Sequence, residues 1–415
     1  MKNKILIQTK DFIEQKSEPQ KNSNIARPNS TKKIEEFLVF GAPKIGKAEI
    51  NAVVAVMRSG WLGTGARVSR FEQQFSIYKG GGFAVALNSC TAALHLSLLT
   101  LKLKPGDEVI TTPLTFCATV NAIIHAGGTP VLADVDKESM NISPAAIEEK
   151  VTSKTRAILP VHFAGRPCDM EKIMKIAKKH DLVVIEDCAH AIESKLEGKH
   201  VGTFGDFGCF SFYVTKNVVT GEGGMVLTNN QDSATQIKVL GLHGMSKDAW
   251  KRFGSDGYNH YQVVAAGFKY NMIDLQAAIG IEQLNKVHEN WIKRKKIWDT
   301  YQKGFLSVPI QTPADPGANM VHAYHLYTIR INKRNSGITR DEFLAEMTRN
   351  RIGVGVHYQS IPEHPYYNET YKWCPEDFPN AMQIGRETVS LPISPKLSQQ
   401  QVSNVLKTVK NIIKC

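Results

Sequence analysis

Two side chains in this sequence combine a reactive group with a position that suits chemistry. Lys216 lies in the stretch FSFYVTKNVVTGEGG, between a run of β-forming residues and a run of glycines. Asp187 closes the apolar run VVIED further upstream. An amine can attack a carbonyl group, and an acid at the end of an apolar strand can hold a cation or a protonated nitrogen. Taken alone, each residue also fits a structural role, as a surface lysine or as an acid that caps a turn.

A third feature is the Ser89 turn, the segment Asn88-Ser89-Cys90-Thr91-Ala92 between the apolar run FAVAL and the helical run TAALHLSLL. Small hydroxyl residues at a helix start cap free backbone N–H groups, and with the helix dipole they can hold a phosphate. Plain helix capping explains this turn equally well when it is viewed alone. Ser211 supplies another hydroxyl close to Lys216 in the sequence.

The surrounding pattern predicts an α/β fold in which a mainly parallel sheet lies between helices. Short apolar strands alternate with amphipathic helices, as expected when both faces of a sheet are covered. The predicted strands are FAVALNS, DEVITT, TPVLADVD, RAILPVHF, LVVIEDC, CFSFYV and GMVLTN. Ligands of such sheets bind beyond the carboxyl ends of the strands, so the Ser89 turn, Asp187 and Lys216 should meet there.

Together, the Ser89 turn, the strand-end acid Asp187 and Lys216 are the parts of a site for pyridoxal 5′-phosphate (PLP). The lysine forms a Schiff base, the acid keeps the ring nitrogen protonated, and the helix start anchors the phosphate. The glycines after Lys216 do not form a GxGxxG motif at a helix start, which argues against a dinucleotide site.

The chain is predicted to have three parts. Residues 1–36 are polar and are predicted to form a flexible extension, and residues 37–285 a large PLP-binding domain. Residues 286–415 should form a smaller α+β domain, with strands HLYTIRI and IGVGVHY and helices TRDEFLAEMTRN and QQVSNVLKTVKNIIKC.

Composition excludes several classes of protein. No apolar run approaches the ~20 residues of a membrane span, so we expect a cytoplasmic protein with no membrane partner. The seven cysteines are scattered without a CxxC pair, which argues against disulfides and against a metal site. The formal charge is +12, but the lysines are spread over several helices and no aromatic–basic RNA motif occurs, so nucleic acid is not an expected partner. A basic surface also suits anionic small molecules.

From about residue 37 to the C-terminus the sequence resembles the DegT/DnrJ/StrS family of sugar aminotransferases, which are fold-type I PLP enzymes. The resemblance rests on stretches spread along the chain, among them SGWLGTGARVSRFE, NSCTAALHLSLL, PLTFCAT, VVIEDCAHAI, SFYVTKNVVTGEGG and GFKYNM. It implies transfer of an amino group from L-glutamate to a keto-sugar on a nucleotide. Within the family, four stretches are most similar to members that aminate a UDP-4-keto-sugar for lipid A or polysaccharide biosynthesis. These stretches are EDCAHAI, GFKYNM, HAYHLYTIRI and GVGVHY.

The resemblance also assigns roles to residues. It makes Lys216 the Schiff-base lysine and proton carrier, and Asp187 the partner of the ring nitrogen. Phe116 would stack on the ring, and His190 would lie beside the ring hydroxyl. The phosphate ligands would be Ser89, Cys90, Thr91 and Ser211. His325 and His357 would contact the sugar. Relatives complete the phosphate site from the partner subunit, which implies a homodimer with shared active sites. Asn271 is the candidate for that contact, ahead of Lys269.

Some positions depart from the family pattern, and two other functions are alternatives. Cys90 stands where many relatives have glycine, and Lys269 and Asn271 replace part of a G-x-N-x-R motif. A sugar dehydratase of the same fold would carry histidine in place of Lys216. A PLP-binding regulator would need an N-terminal DNA-binding domain, for which 36 polar residues are too few. His95 is expected in the core, whereas His162 could face the site or be structural.

Overall fold

The structure is a computed structural model that describes residues 37–246 and 261–413. The predicted flexible extension over residues 1–36 lies outside the described residues.

A seven-stranded sheet forms the centre of the fold, with the strand order β1-β9-β8-β5-β4-β2-β3. Its strands are β1 (Phe83–Leu87), β2 (Glu108–Thr111), β3 (Thr129–Leu132), β4 (Thr155–Leu159), β5 (Val183–Asp187), β8 (Phe207–Ser211) and β9 (Gly224–Thr228). Only β9 runs antiparallel to its neighbours in this sheet, and the other pairings are parallel. The predicted α/β fold with a mainly parallel sheet is therefore confirmed.

Helices cover both faces of the sheet. They are α1 (Lys47–Ser59), α2 (Ala66–Lys79), α3 (Cys90–Thr100), α4 (Cys117–His125), α5 (Pro144–Lys150), α6 (Met170–His180), α7 (Gln231–Gly241) and α8 (Asp274–Asn285). Ala84 and Ala86 of β1 pack with α2 and α8, whereas Val85 and Leu87 pack with α3 and α7. Successive side chains of a strand point to opposite faces, so a strand buried on both sides is apolar throughout, as FAVAL is.

The C-terminal part has its own apolar cluster, which draws on α9, α11 and α14 and on a two-stranded sheet of β11 and β12. The elements are α9 (Val287–Gly304), β11 (Tyr327–Arg330), α10 (Lys333–Ser336), α11 (Arg340–Arg349), α12 (Pro365–Tyr371), α13 (Pro379–Glu387), β12 (Thr388–Leu391) and α14 (Gln399–Ile413). A small antiparallel sheet joins β6 (Lys195–Leu196), β7 (Lys199–His200) and β10 (Met320–Val321). Another apolar cluster mixes residues from both sides of position 285, and the proposed domain boundary there stays a prediction.

The predicted strand IGVGVHY is wrong. In this stretch Ile352 makes an isolated bridge with Leu38 and Gly355 one with Ser390. Two different partners at two isolated points do not make a ladder, so the segment is extended without belonging to a sheet. None of the described helices is long and apolar enough to cross a lipid bilayer.

Candidate active site

Three neighbouring strands bring the Ser89 turn and Ser211 together. Ser211 at the end of β8 pairs with Gly224 at the start of β9, and Gly224 pairs with Leu87 at the end of β1. Because β9 is antiparallel, its first residue lies at the same sheet edge as the last residues of its neighbours. The chain leaves β1 at Leu87 and enters the Ser89 turn directly above Gly224. A Cβ atom on Gly224 would lie only 2.3 Å from the carbonyl carbon of Ser89, so glycine is required for this approach.

The Ser89 turn caps the start of α3 and leaves two backbone amides free to bind a ligand. The Ser89 hydroxyl accepts a hydrogen bond of 3.1 Å from the Ala92 N–H, which confirms the capping interpretation. Within the described residues the amides of Cys90 and Thr91 have no hydrogen-bond partner. These N–H groups at the positive end of the helix dipole suit a phosphate, so capping and phosphate binding are compatible here.

Lys216 lies in a turn after β8 rather than at the strand end, because β8 stops at Ser211 and the Lys216 N–H donates to the Tyr213 carbonyl. Burial lowers the pKa of the Lys216 amine to about 8, although the charge of Asp187 opposes this shift. The charge of Lys216 in turn opposes the rise in the pKa of Asp187 and lowers the pKa values of His190 and His357.

Asp187 is the last residue of β5, and its side chain is buried. Its Oδ2 accepts a hydrogen bond of 2.9 Å from the Thr119 hydroxyl, and its Oδ1 accepts one of 3.1 Å from the Ala189 N–H. Burial raises the pKa of the Asp187 carboxyl, while these hydrogen bonds and Lys216 oppose the shift. Both donors are uncharged, so a protonated ring nitrogen would supply the charged partner that favours the carboxylate.

Glu186 points to the opposite face of β5 and serves the fold. Its carboxylate accepts hydrogen bonds from the amides of Gly202, Phe204 and Gly205 and contacts His162 Nε2 at 3.0 Å. His162 Nδ1 accepts from the Cys168 N–H, so His162 is structural and does not face the site. The side chains of Glu186, His162 and Cys188 are close enough to one another to share a metal ion. However, both ring nitrogens of His162 already make hydrogen bonds, and burial holds the pKa of the Cys188 thiol well above its usual value, which disfavours the thiolate that a metal would need.

His190 follows Asp187 by three residues and is buried. Its Nδ1 accepts a hydrogen bond of 3.2 Å from the Ala164 N–H, and its Nε2 lies 3.0 Å from the Tyr358 hydroxyl. Burial, together with the charge of Lys216, holds the pKa of His190 well below its usual value. The ring is therefore neutral, and its one proton is on Nε2.

His325 joins the site through a buried polar chain. The Asn217 carboxamide donates through Nδ2 to Glu193 and to the Ala323 carbonyl, and its Oδ1 accepts a bond of 3.0 Å from His325 Nδ1. The His325 ring lies 4.5 Å from the His190 ring between centroids. Burial raises the pKa of Glu193 to about 7 and holds that of His325 well below its usual value.

His357 and Phe116 lie on either side of Tyr358. His357 Nδ1 contacts the Ser390 hydroxyl at 2.8 Å, and the His357 ring stacks on Phe40. Burial lowers the pKa of His357 to about 4. Phe116 precedes α4, is 57% exposed, and has its ring centroid 6.0 Å from that of Tyr358. An exposed ring at the rim of a polar site can cover the face of an aromatic ligand.

Asn271 is next to the Ser89 turn of its own chain, where it makes an isolated bridge with Leu87. Its Nδ2 donates to the Thr64 hydroxyl at 2.6 Å, while its Oδ1 is buried and has no hydrogen-bond partner in the described part of the chain. Asn271 and Trp61 line a groove of about 530 Å³ between α2, β1 and α7. His95 packs in the core against Phe268, as expected.

Sequence reasoning missed four residues of this site: Thr119, Glu193, Asn217 and Tyr358. Thr119 and Tyr358 lie in the quoted stretches PLTFCAT and GVGVHY, but nothing in those stretches distinguishes them from packing residues. Asn217 follows Lys216 directly, and that adjacency was its only signal.

The residues present fit pyridoxal phosphate. Its phosphate matches the free amides of the Ser89 turn and the Ser211 hydroxyl, and its ring nitrogen matches the buried Asp187. Its aldehyde reacts with an unprotonated amine, and because burial lowers the pKa of Lys216 from 10.5 to about 8, far more of this amine is unprotonated near neutral pH than in an ordinary lysine.

Comparison with known proteins identifies the family. The sequence model of the DegT/DnrJ/EryC1/StrS aminotransferase family matches residues 43–410. SpsC, a spore coat polysaccharide biosynthesis protein of Bacillus subtilis (strain 168), is 44% identical over 386 residues, which cover 92% of this chain and 98% of SpsC.

Solved structures agree with this result. Spr1654 of Streptococcus pneumoniae, described as a sugar aminotransferase, superposes in its PMP form with a TM-score of 0.85 at 31% identity, over 91% of this chain and 99% of that one. It has also been solved in its PLP form. PseC of Helicobacter pylori, an aminotransferase of pseudoaminic acid biosynthesis, gives 0.84 at 29% identity, over 91% of this chain and all of PseC. The cofactor is pyridoxal phosphate, and the chain belongs to the DegT/DnrJ/EryC1/StrS aminotransferase family.

Proposed function

We propose that this protein transfers the amino group of L-glutamate to the keto carbon of a nucleotide-linked sugar, specifically a UDP-4-keto-sugar, in the biosynthesis of a cell-surface polysaccharide or lipid A. The observation that carries the proposal is the pairing of Lys216, with its pKa of about 8, with the buried Asp187 in one site. When bound, pyridoxal phosphate supplies an electron sink that carries the amino group between the two substrates.

Lys216 is the catalytic residue of this proposal. Its amine holds the cofactor in the resting enzyme, is displaced by the amino donor, and then moves the proton to and from the substrate carbon. A pKa of about 8 lets the amine both accept and return a proton near neutral pH. Asp187 keeps the ring nitrogen protonated, which the electron sink requires.

The remaining residues hold the cofactor and orient the sugar. The free amides of Cys90 and Thr91 and the Ser211 hydroxyl bind the phosphate, and Phe116 covers one face of the ring. His325 and His357 contact the sugar as neutral imidazoles, which exchange hydrogen bonds with hydroxyl groups without adding charge. The formal charge of +12 supports an acceptor that carries a diphosphate.

The active site belongs to a homodimer in this proposal. The groove beside Asn271 supports a contact with a second copy of the chain, from which the Oδ1 of Asn271 could accept a hydrogen bond, while the Nδ2 group of Asn271 would donate to the partner's phosphate site. The cytoplasmic location and the large and small domains predicted from the sequence stay part of the proposal.

Product formation tests this function. The purified protein, supplied with pyridoxal phosphate and L-glutamate, is offered keto-sugars linked to UDP, GDP or dTDP, and 2-oxoglutarate and the amino-sugar are quantified. We expect turnover with a UDP-4-keto-sugar, none with Lys216→Ala, and wild-type turnover with Lys407→Ala, which removes an exposed lysine of α14. Turnover by Lys216→Ala would contradict the assignment of Lys216, and loss of glutamate dependence would contradict the donor.

A further inference from the structure

His190 has no hydrogen left to offer a ligand. Its Nδ1 lone pair is taken by the Ala164 N–H at 3.2 Å, so the proton of the neutral ring is on Nε2. That proton faces the Tyr358 oxygen at 3.0 Å. A histidine with both nitrogens engaged inside the protein has no N–H to donate to the ring hydroxyl beside which the resemblance places it, but it can orient its neighbour.

The hydroxyl of Tyr358 is left with a free proton. Burial, with the nearby charges of Asp187 and Cys117, holds the pKa of the phenol well above its usual value, so the phenol stays protonated. Since its oxygen accepts the bond from His190, its own O–H must point to a different acceptor. No such acceptor for Tyr358 occurs among the residues that the structure describes.

The neighbours of Tyr358 are side chains to which the resemblance assigns roles at the cofactor or the sugar. Phe116, the ring-covering residue, is 6.0 Å away between ring centroids, and the charge of Asp187 acts on the phenol. The Tyr358 hydroxyl lies 3.0 Å from Nε2 of His190, which is three residues after Asp187, and the Tyr358 ring lies 5.0 Å from the His357 ring between centroids.

We propose that Tyr358 donates a hydrogen bond to the phenolic oxygen of pyridoxal phosphate, and that His190 is a positioning residue that acts through Tyr358. This inference rests on the proposed function, because it requires the cofactor to be held by Lys216.

The bond has a spectroscopic consequence. A donor at the phenolic oxygen draws electron density from the adjacent Schiff-base nitrogen, which lowers the pH at which the lysine-bound chromophore titrates. Loss of a hydrogen bond to this charged oxygen should raise that titration by about one pH unit or more. The other titratable groups that face Tyr358, which are His190, His357, Asp187 and Cys117, stay in place in the variant Tyr358→Phe.

The experiment is a pH titration of the visible absorption of the holoenzyme. Tyr358→Phe should bind the cofactor and titrate about one pH unit higher than the wild type. His190→Leu should shift in the same direction, because Tyr358 loses the donor that orients it. The matched control is Tyr367→Phe, which removes a hydroxyl that donates to Asn121 Oδ1 at 2.6 Å and should leave the titration unchanged.

An unshifted titration in Tyr358→Phe would overturn the inference, and so would a variant whose only defect is a higher KM for the sugar. Nitrogen NMR of the His190 ring in the apoprotein is a second readout, and it should show a proton on Nε2 alone from pH 6 to 8. A proton on Nδ1 would overturn the inference. Failure of the proposed function would be visible separately, as a wild-type protein that holds no chromophore or transfers no amino group.

Discussion

The Thr119 hydroxyl donates a hydrogen bond of 2.9 Å to Oδ2 of Asp187, deep under the strand ends that form the site. Thr119 itself lies 2.8 Å from the Thr115 hydroxyl, so a short chain of hydroxyl groups runs from the start of α4 to the carboxylate. The chain helps to orient the carboxylate, and its hydrogen bond opposes the rise in the Asp187 pKa that burial causes.

Thr119→Val should weaken cofactor binding roughly ten-fold or more, because a buried carboxylate loses a hydrogen bond worth about 1.5–3 kcal/mol. The pKa of Asp187 should rise further, and the ring nitrogen should lose part of its anionic partner. Absorption titration of the apoprotein with pyridoxal phosphate measures the affinity. Thr111→Val is the control, since it removes a buried hydroxyl that donates to the Leu159 carbonyl, and equal losses in both variants would contradict the role of Thr119.

Capture of the cofactor should depend on pH through the pKa of Lys216, which burial lowers to about 8. Only the unprotonated amine attacks the aldehyde, so the initial rate should rise about ten-fold per pH unit below 8 and level off above it. Stopped-flow absorption between pH 6.5 and 10 measures this rate. A rate that climbs without a plateau to pH 10 would indicate an ordinary exposed lysine.

Gly224→Ala should disturb the Ser89 turn. The added Cβ would lie 2.3 Å from the Ser89 carbonyl carbon and 2.6 Å from the Cys90 nitrogen, and backbone atoms cannot move aside cheaply. Overpacking of this kind costs about 1–3 kcal/mol, and moving the turn also displaces the free amides. We expect a lower melting temperature and weaker binding of both pyridoxal phosphate and inorganic phosphate. Gly317→Ala, in an exposed loop, should change neither, and a normal phosphate affinity in Gly224→Ala would show that the turn does not bind phosphate.

Glu193→Gln should change how stability depends on pH. Burial raises the pKa of Glu193 from 4.5 to about 7, so the folded wild type binds an extra proton between these values. Stability relative to the glutamine variant should therefore fall as pH rises from 4.5 to 7 and stay level above that. Denaturant unfolding of both proteins at several pH values measures this difference. Glu369→Gln, at an exposed position of α12, is the control, and parallel curves for Glu193→Gln and the wild type would contradict the prediction.

Complementation between two inactive variants tests the shared active site. If Asn271 acts in the partner's site, a dimer of one Lys216→Ala chain and one Asn271→Ala chain has one complete site. Random mixing makes half of the dimers hybrid, so the mixture should regain about a quarter of wild-type activity. Subunits are exchanged and activity is compared with the sum of the separate variants. No gain above that sum would place Asn271 in its own chain's site.

Much of the site could be predicted because its parts follow strand ends that are visible in the sequence. Asp187 closes an apolar run, and the Ser89 turn separates a strand from a helix. The contacts that tune these groups join distant positions: Thr119 and Asp187 are 68 residues apart, and Tyr358 and His190 are 168 apart. No local pattern reports such a pairing.

The wrong strand prediction has a similar physical origin, and so does the difference between two adjacent acids. IGVGVHY has the composition of a strand, but a strand needs a neighbour, and this segment bridges two unrelated points. Glu186 and Asp187 look equivalent in the sequence, yet alternation along β5 sends one to His162 and the other to the site.

The antiparallel pairing of β8 with β9 has a consequence for how this site can evolve. Both ends of the segment 212–223 are fixed by five paired residues in each strand, and Lys216 lies inside that segment while the Ser89 turn rests on Gly224. The length of this segment therefore determines how far the Lys216 amine lies from the phosphate site. An insertion or deletion within it would change that reach while the sheet on which both depend keeps its register.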